Sequence, residues 1–381
     1  MFTGKIVQIN IDIKSLINIQ LMKSIKLFIM AAILPLLASC LDNDETNSGF
    51  SAVGGSSGYA NTTNGYIQFA SLGNWYIVQD ASTDWLKIDL MKGDGYSLYF
   101  IPTHFSQNTT GNMRMARIRI QDANESDAYT MFSIGQYATR GDGSLGNAPL
   151  VKTITCDDGA EFNITYDDKC RPNIFSMNRD GALVYDMSFD YNDSDTTLYV
   201  YSGSNTLEGR FDVGYQPDQL TSRNDSVTCR NSVYANSIAI MVERRLAGGE
   251  QYGVSQLFAG GQRFGADDEH VADSLKYRHI YSDGRQTYGE DLKLYFGEEN
   301  TKVSNRNQSV DVNQLLLGME ECNPYMLLSL FRNMRNSYVI TKAAGKDGDY
   351  TVATTLNPDK SVSTMTVTDK NGNKKTYTFG Y

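Results

Sequence analysis

Histidine is scarce in this chain, with 3 residues in 381. His104 stands alone in a Thr/Gln/Asn stretch and reads as a solvated loop residue. His270 and His279 lack the i,i+4 or His-x-His spacing that brings two imidazoles onto one metal. Cysteine is also sparse, at 5 residues, and shows no Cys-x-x-Cys spacing, which argues against a zinc ribbon. There is no Gly-x-Ser-x-Gly elbow and no phosphate loop. Positive charge is in the minority, 34 Lys and Arg against 44 Asp and Glu, for a net charge of −10. Binding nucleic acid relies on basic patches that neutralise phosphate, so that class of partner is excluded. A membrane-spanning helix needs roughly 20 apolar residues in a row. The longest such run, Leu27 to Leu37, has 11 and is interrupted by Pro35.

That run is informative for another reason. Lys23 and Lys26 precede it, and Ala38, Ser39 and Cys40 follow it. The length and flanks are those of a signal-peptide core. The order Leu37-Ala38-Ser39-Cys40 resembles the lipobox of bacterial lipoproteins. The resemblance implies cleavage before Cys40 and a diacylglycerol thioether on its sulfur, the chain's most nucleophilic atom type. Two or more acyl chains hold a protein on a membrane where one is marginal. Met22 is the natural start of such a signal, so residues 1–39 read as an upstream extension plus signal peptide. Asp42, Asp44 and Glu45 resemble the acidic surface-export cluster of Bacteroidetes-type lipoproteins; an acidic linker is the plainer reading. Residues 40–64, rich in Asn, Ser, Thr and Gly, are expected to be a lipidated flexible tether.

About 340 residues remain after the signal, enough for two domains at ~100–200 residues each. The 24 Tyr and 16 Phe supply ample core material. Thr, Tyr, Ile and Val alternate with Gly-Asp and Asn-Gly turns after residue 60, so the fold class is mostly β. Residues 65–138 read as short strands. Arg114-x-Ala116-x-Ile118-x-Ile120 puts three apolar residues on one face. The order Trp75, Trp85, Gly93/Gly95, this alternating run and the closing Ile134-Gly135-Gln136 resembles the BACON domain (Bacteroidetes-associated carbohydrate-binding often N-terminal). That resemblance implies an immunoglobulin-like β-sandwich and company with glycan-degrading systems. Trp75 and Trp85 sit inside apolar strands and are expected in the core. Tyr76, Tyr96 and Tyr99 are the candidates to stack on a sugar.

Residues 139–149, from Gly141 to Pro149 largely Gly, Ser and Asn, form an inter-domain linker. Residues 150–381 read as a larger antiparallel β domain of unknown function. Tyr166-Asp167-Asp168-Lys169-Cys170-Arg171 resembles a degenerate Tyr-Asp-x-x-Gly-Arg hairpin, with Cys170 at the glycine position. Asn371-Gly372 marks a further turn. A bipartite helix lying on the sheet is expected, Val312 to Glu320 with Asp311 as N-cap, then Pro324 to Asn333. Cys156, Cys170, Cys229 and Cys322 permit three disulfide pairings, or free thiols.

Glycoside hydrolysis needs two carboxyls across a cleft. Glu243, Glu290, Asp291 and Asp267-Asp268-Glu269-His270 are candidates by composition alone, and the last run reads as a solvated loop. No catalytic residue, metal ligand or cofactor is assigned. The expectation is a non-catalytic, outer-membrane surface lipoprotein that assists glycan capture. Its partners would be the membrane through its lipid, a poly- or oligosaccharide, and other outer-membrane glycan-uptake proteins. The alternatives are a structural spacer that binds a protein partner, or a hydrolase with its site in 150–381.

Overall fold

The computed structural model describes residues 50–80, 83–191, 196–202, 207–213, 219–222, 226–234, 237–245, 251–259, 271–280, 286–288, 291–316, 330 and 335–381. Cys40, the apolar run before it and the acidic cluster after it lie outside the described residues. The described chain is almost entirely antiparallel β, as its alternation predicts.

The first module is a β-sandwich. One sheet has the order β1 (Phe50–Gly55), β2 (Asn64–Ser71), β6 (Ser97–Phe105), β4 (Leu86–Ile88). The other has β5 (Lys92–Gly93), β3 (Trp75–Gln79), β7 (Arg114–Asp122), β8 (Tyr129–Gln136). Between them lie Ile67, Phe69, Ile77, Ile101, Phe105 and the predicted trio Ala116, Ile118, Ile120. Both tryptophans are in this core, Trp75 fully and Trp85 nearly so. The Trp75 ring meets Phe69 and Tyr99 edge-on, each at 4.8 Å between centroids. Its indole lies so close to Gly93 that a Cβ there would stand 2.6 Å from it, which is why the strand carries glycine.

Residues 50–64, expected to belong to a flexible tether, are part of the sandwich. Phe50 opens β1, which pairs along β2, and residues 56–64 are fixed to the sandwich. The reason lies in the last residue of β8. Gln136 is fully buried, and its Nε2 reaches the carbonyls of Tyr59, Ala60 and Thr62 at 3.1–3.3 Å. Its Oε1 accepts from Arg114 at 2.6 and 2.9 Å. The three carbonyls are more than 70 residues away in sequence, so composition cannot reveal them.

The second module is a closed barrel. It begins with β9 (Thr153–Cys156), β10 (Ala160–Tyr166), β11 (Pro172–Arg179) and β12 (Ala182–Tyr191). It continues through β13 (Thr196–Ser202), β14 (Leu207–Val213), β15 (Gln219–Ser222), β16 (Ser226–Tyr234), β17 (Ser237–Arg245), β18 (Gln251–Ala259) and β19 (Ser274–Ile280). Then come β20 (Gln286–Tyr288), β21 (Leu292–Tyr295), β22 (Lys342–Gly345), β23 (Gly348–Leu356), β24 (Val362–Thr368) and β25 (Lys374–Gly380), which closes on β9. A ring of purely antiparallel neighbours needs an even number of positions. The seventeen strands satisfy this because β20 and β21 pair successive stretches of β19 and share one position.

Side-chain polarity differs between the two faces of these barrel strands. Ile154, Phe162, Ile164, Phe175, Met177, Val352, Met365, Tyr377 and Phe379 form one buried cluster with Val310, Val312, Leu315 and Leu316. The alternating positions face outward and include Thr155, Glu161, Asn163, Thr165, Asp349, Thr351, Thr355, Thr376 and Thr378. Thr355 and Thr364 share a hydroxyl bond across this face at 2.7 Å, and Thr366 and Thr376 another at 3.1 Å. A membrane barrel carries an apolar outer band and a polar interior. In β9–β12 and β21–β25 the inward positions are apolar and the outward ones mostly polar, with Ile174, Leu183, Tyr295 and Leu356 as exposed apolar exceptions.

The predicted helix takes another form. Asp311 does cap a turn, accepting from Asn313 N–H at 3.2 Å, but the turn is a short 3-10 helix, Val312–Leu316. All five of its residues are buried, and it packs within the barrel's core cluster rather than on an outer face. Asn313 and Gln314 interrupt its apolar stripe and are held by Tyr338 and Asp311. Residues 317–329, which include the start of the predicted second half, lie outside the described residues.

Three barrel hairpins share one loop geometry. Asp167, Asn357 and Asp369 each donate their N–H across the loop, to Arg171, Ser361 and Asn373. Each loop has a left-handed residue at its fourth position: Cys170 (φ 59°), Lys360 (φ 67°) and Gly372 (φ 85°). The comparison of Cys170 with a glycine position was apt on this point. Cys156 and Cys170 are free thiols; Cys322 and the Cys229 side chain lie outside the described residues.

The 139–149 segment joins the modules and is largely buried. Arg140, Asp142 and Ser144 are inaccessible, and Leu145 N–H bonds to Arg306 O at 2.9 Å. Asn61 ties all three parts together, donating to Lys169 O at 2.9 Å and accepting from Gly141 N–H at 3.1 Å.

Candidate functional site

The outer face of the β1-β2-β6-β4 sheet exposes apolar side chains. Strand β6 begins Ser-Leu-Tyr-Phe-Ile, an apolar run without alternation. Its register is set by Ile101 lying opposite Ile67, both in the core. Period two then turns Leu98, Phe100, Pro102 and His104 outward. Phe100 is 62% exposed and Leu98 59%. Tyr66 of β2 stands beside them at 41%, its ring stacked on Phe100 with centroids 4.5 Å apart and planes 22° from parallel.

A polar edge borders these rings. His104 Nε2 is 3.1 Å from Asp89 Oδ2, and Nδ1 is 3.1 Å from Asn64 Oδ1. This histidine lies on a strand, in place of the expected loop, with its side chain about half exposed. Lys87 faces the same way from β4. Flat ring faces favour the C–H face of a hexose, and the bordering carboxylate, imidazole and amide can exchange hydrogen bonds with its hydroxyls.

The three tyrosines singled out from sequence are not brought together. Tyr99 points into the core, 5.4 Å from Phe69 and 4.8 Å from Trp75 between centroids, and its hydroxyl donates to Asp94 O at 2.6 Å. It is half-buried against the core, away from the exposed rings of this face. Tyr76 is half-buried on the opposite sheet. Tyr96 is 81% exposed in the approach to β6. Phe100, which the sequence reading passed over, differs from Tyr99 by one step along β6. One step along a strand flips the face, and an unalternating apolar run does not say which step is right.

Of the carboxylates considered for hydrolysis, Asp291 is exposed. Asp267 to His270, Glu290 and the Glu243 side chain lie outside the described residues. No group of three or more His, Cys, Asp or Glu is placed to hold a metal among the described residues.

No family model matches the chain, and comparison with curated proteins finds no match. Among solved structures, the chain is similar to a porin-like protein from Bacteroides vulgatus ATCC 8482, at 8% identity and TM-score 0.39, covering 61% of this chain and 99% of that one. A porin-like protein from Bacteroides uniformis ATCC 8492 is similar at 11% identity and TM-score 0.34, covering 60% and 96%. A Bacteroides ovatus GH5 xyloglucanase in complex with a XXXG heptasaccharide is similar over 24% of this chain, at 18% identity and TM-score 0.19. The chain spans about a fifth (19%) of that enzyme's length.

Proposed function

We propose that this protein is a non-catalytic lipoprotein, anchored by Cys40 to the outer membrane and displayed on the cell surface, that helps capture glycans. The observation that carries the reading is the exposed Tyr66–Phe100 pair with Leu98 beside it, bordered by His104, Asp89 and Asn64. In this reading the sandwich is a BACON-like module presenting that face. The barrel is displayed with it, and other outer-membrane glycan-uptake proteins are the natural company. A spacer that binds a protein partner is the second reading. It is favoured by Met113, Met115, Met131 and Val78, each at least 40% exposed in or beside the opposite sheet.

A glycan-array screen of the full chain tests the first reading against a Tyr66→Ala/Phe100→Ala double variant. The expected result is retention of at least one polysaccharide by the wild type and its loss in the variant. The rings are partly exposed and stack on one another, so the variant should lose about 1–2 kcal/mol, and a melting curve verifies that it folds. Absence of any binding at high micromolar concentration, or binding equal in both proteins, refutes it.

A further inference from the structure

One end of the sandwich carries apolar side chains that the glycan reading does not use. Leu72, in the β2–β3 turn, is 61% exposed, and Tyr96, in the β5–β6 turn, is 81% exposed. Ser71 lies opposite Ser97 in the β2–β6 register, so the two turns are neighbours. Leu98 follows on the outer face, opposite Ala70, while Tyr66 and Phe100 lie farther from this end.

Chain direction decides what this end can reach. The barrel is joined at the opposite end, where Asn61 donates to Lys169 O and Gln107 to Asp168 O. Phe50 opens β1 opposite Ser71, so the chain enters the sandwich beside Leu72. Cys40 stands ten residues before Phe50, and that length of fully extended chain spans at most about 33–36 Å. A lipid on Cys40 therefore keeps the Leu72 and Tyr96 end within that distance of the bilayer surface. Asp94, Glu125 and Asp127 are exposed in turns of the same end, so it suits zwitterionic headgroups better than anionic ones.

We infer that this end of the sandwich is a membrane contact, made to a zwitterionic lipid surface. Leu72 and the Tyr96 ring enter the headgroup–acyl boundary, with the tyrosine hydroxyl toward water and Leu98 at the edge. The inference rests on the lipid at Cys40 proposed above. That lipid supplies the effective concentration at which so small an apolar patch can act. Contact there orients the sandwich, with Tyr66, Phe100 and the barrel carried clear of the bilayer.

The test uses protein extracted from membranes of cells expressing the full chain and reconstituted into phosphatidylcholine vesicles that contain brominated lipid. Flotation reports the anchor, and quenching of an introduced indole reports the contact. The Tyr96→Trp indole should be quenched several-fold more than a Tyr295→Trp indole on the barrel wall, above the background of the buried Trp75 and Trp85. Adding Leu72→Glu should bring that quenching down to the Tyr295→Trp level, and phosphatidylglycerol in the vesicles should reduce it. Leu72 and Tyr96 are exposed, so these variants should fold, and melting curves verify this. Flotation without excess quenching at position 96, or quenching that survives Leu72→Glu or rises with phosphatidylglycerol, overturns the inference and leaves the anchor standing. Absence of flotation overturns the anchor and this inference with it. Shielding of the indole without quenching, growing with protein concentration, assigns this end to a second copy of the chain and also overturns the inference.

Discussion

Replacing Arg335 by methionine should cost about 3–5 kcal/mol, the scale for removing one partner from a buried charged network. This arginine is essentially inaccessible, yet it carries a full charge that burial pushes to lower basicity. Its guanidinium is satisfied mainly by carbonyls. Nε donates to Asp142 O at 3.0 Å, Nη1 to Asn305 O at 3.2 Å and Gln308 O at 3.1 Å, and Nη2 to Ser309 O at 3.1 Å and also to Asp142 O. The Asp142 carboxylate is farther, at 3.7 Å, and takes Ser144 N–H at 2.8 Å and its hydroxyl at 2.5 Å. Methionine fills much of the volume but leaves the Asp142, Gln308 and Ser309 carbonyls without this donor, each worth about 1–3 kcal/mol when buried, while Asn305 O keeps Gln308 Nε2 at 3.0 Å. The same geometry predicts that Asp142→Asn costs far less, about 1 kcal/mol, because the carbonyl bonds survive. Urea unfolding followed by tryptophan fluorescence, which reports the sandwich, and by far-ultraviolet circular dichroism, dominated by the barrel, measures both. The two probes should coincide in the wild type and separate in Arg335→Met, since this residue links the 139–149 segment to the barrel. A loss below about 1 kcal/mol for Arg335→Met, or equal losses for the two variants, would refute the carbonyl-cage argument.

Two further outcomes follow from residues at opposite ends of the chain. Metabolic labelling with a fatty-acid probe should mark the wild-type protein and not Cys40→Ala; persistent labelling of the variant would remove the lipid anchor. For Asp158, burial alone raises the pKa, but hydrogen bonds from Lys375 and Ala160 N–H, and the charge of Lys375, outweigh it and hold the group at about 2. A depressed folded-state value gives stability that is complete above the ordinary carboxylate pKa near 4 and lost as pH falls through about 2. Its side chain is about a third exposed, so solvent screening limits the contribution to about 1 kcal/mol or less. The stability difference between wild type and Lys375→Met should shrink as pH drops through that interval; a pH-independent difference would contradict the assignment.

The sandwich core was legible because its strands alternate cleanly, as in Arg114 to Ile120, where buried and solvent-facing positions differ in polarity. The hairpin at Tyr166 to Arg171 was legible because its loop demands one left-handed residue in a fixed place. The sheet-face site was not. Leu98 to Ile101 is apolar at every position, so the outward pair emerged only from the register of β6 on β2. The ordered stretch before residue 65 was hidden too, since a polar sequence looks like a tether until Gln136 supplies its hydrogen bonds.

By itself the sequence determined the β class and the burial of both tryptophans, and it raised the expectation of a lipid anchor at Cys40. These rest on local composition and on periods of two, which the backbone must obey wherever the chain is placed. Tertiary structure alone decided that the second module closes into a ring and that Tyr66 joins Phe100 on an exposed face. Each depends on pairings between distant residues, such as Phe379 with Ile154 or Tyr66 with Pro102, and local pattern carries no information about distance.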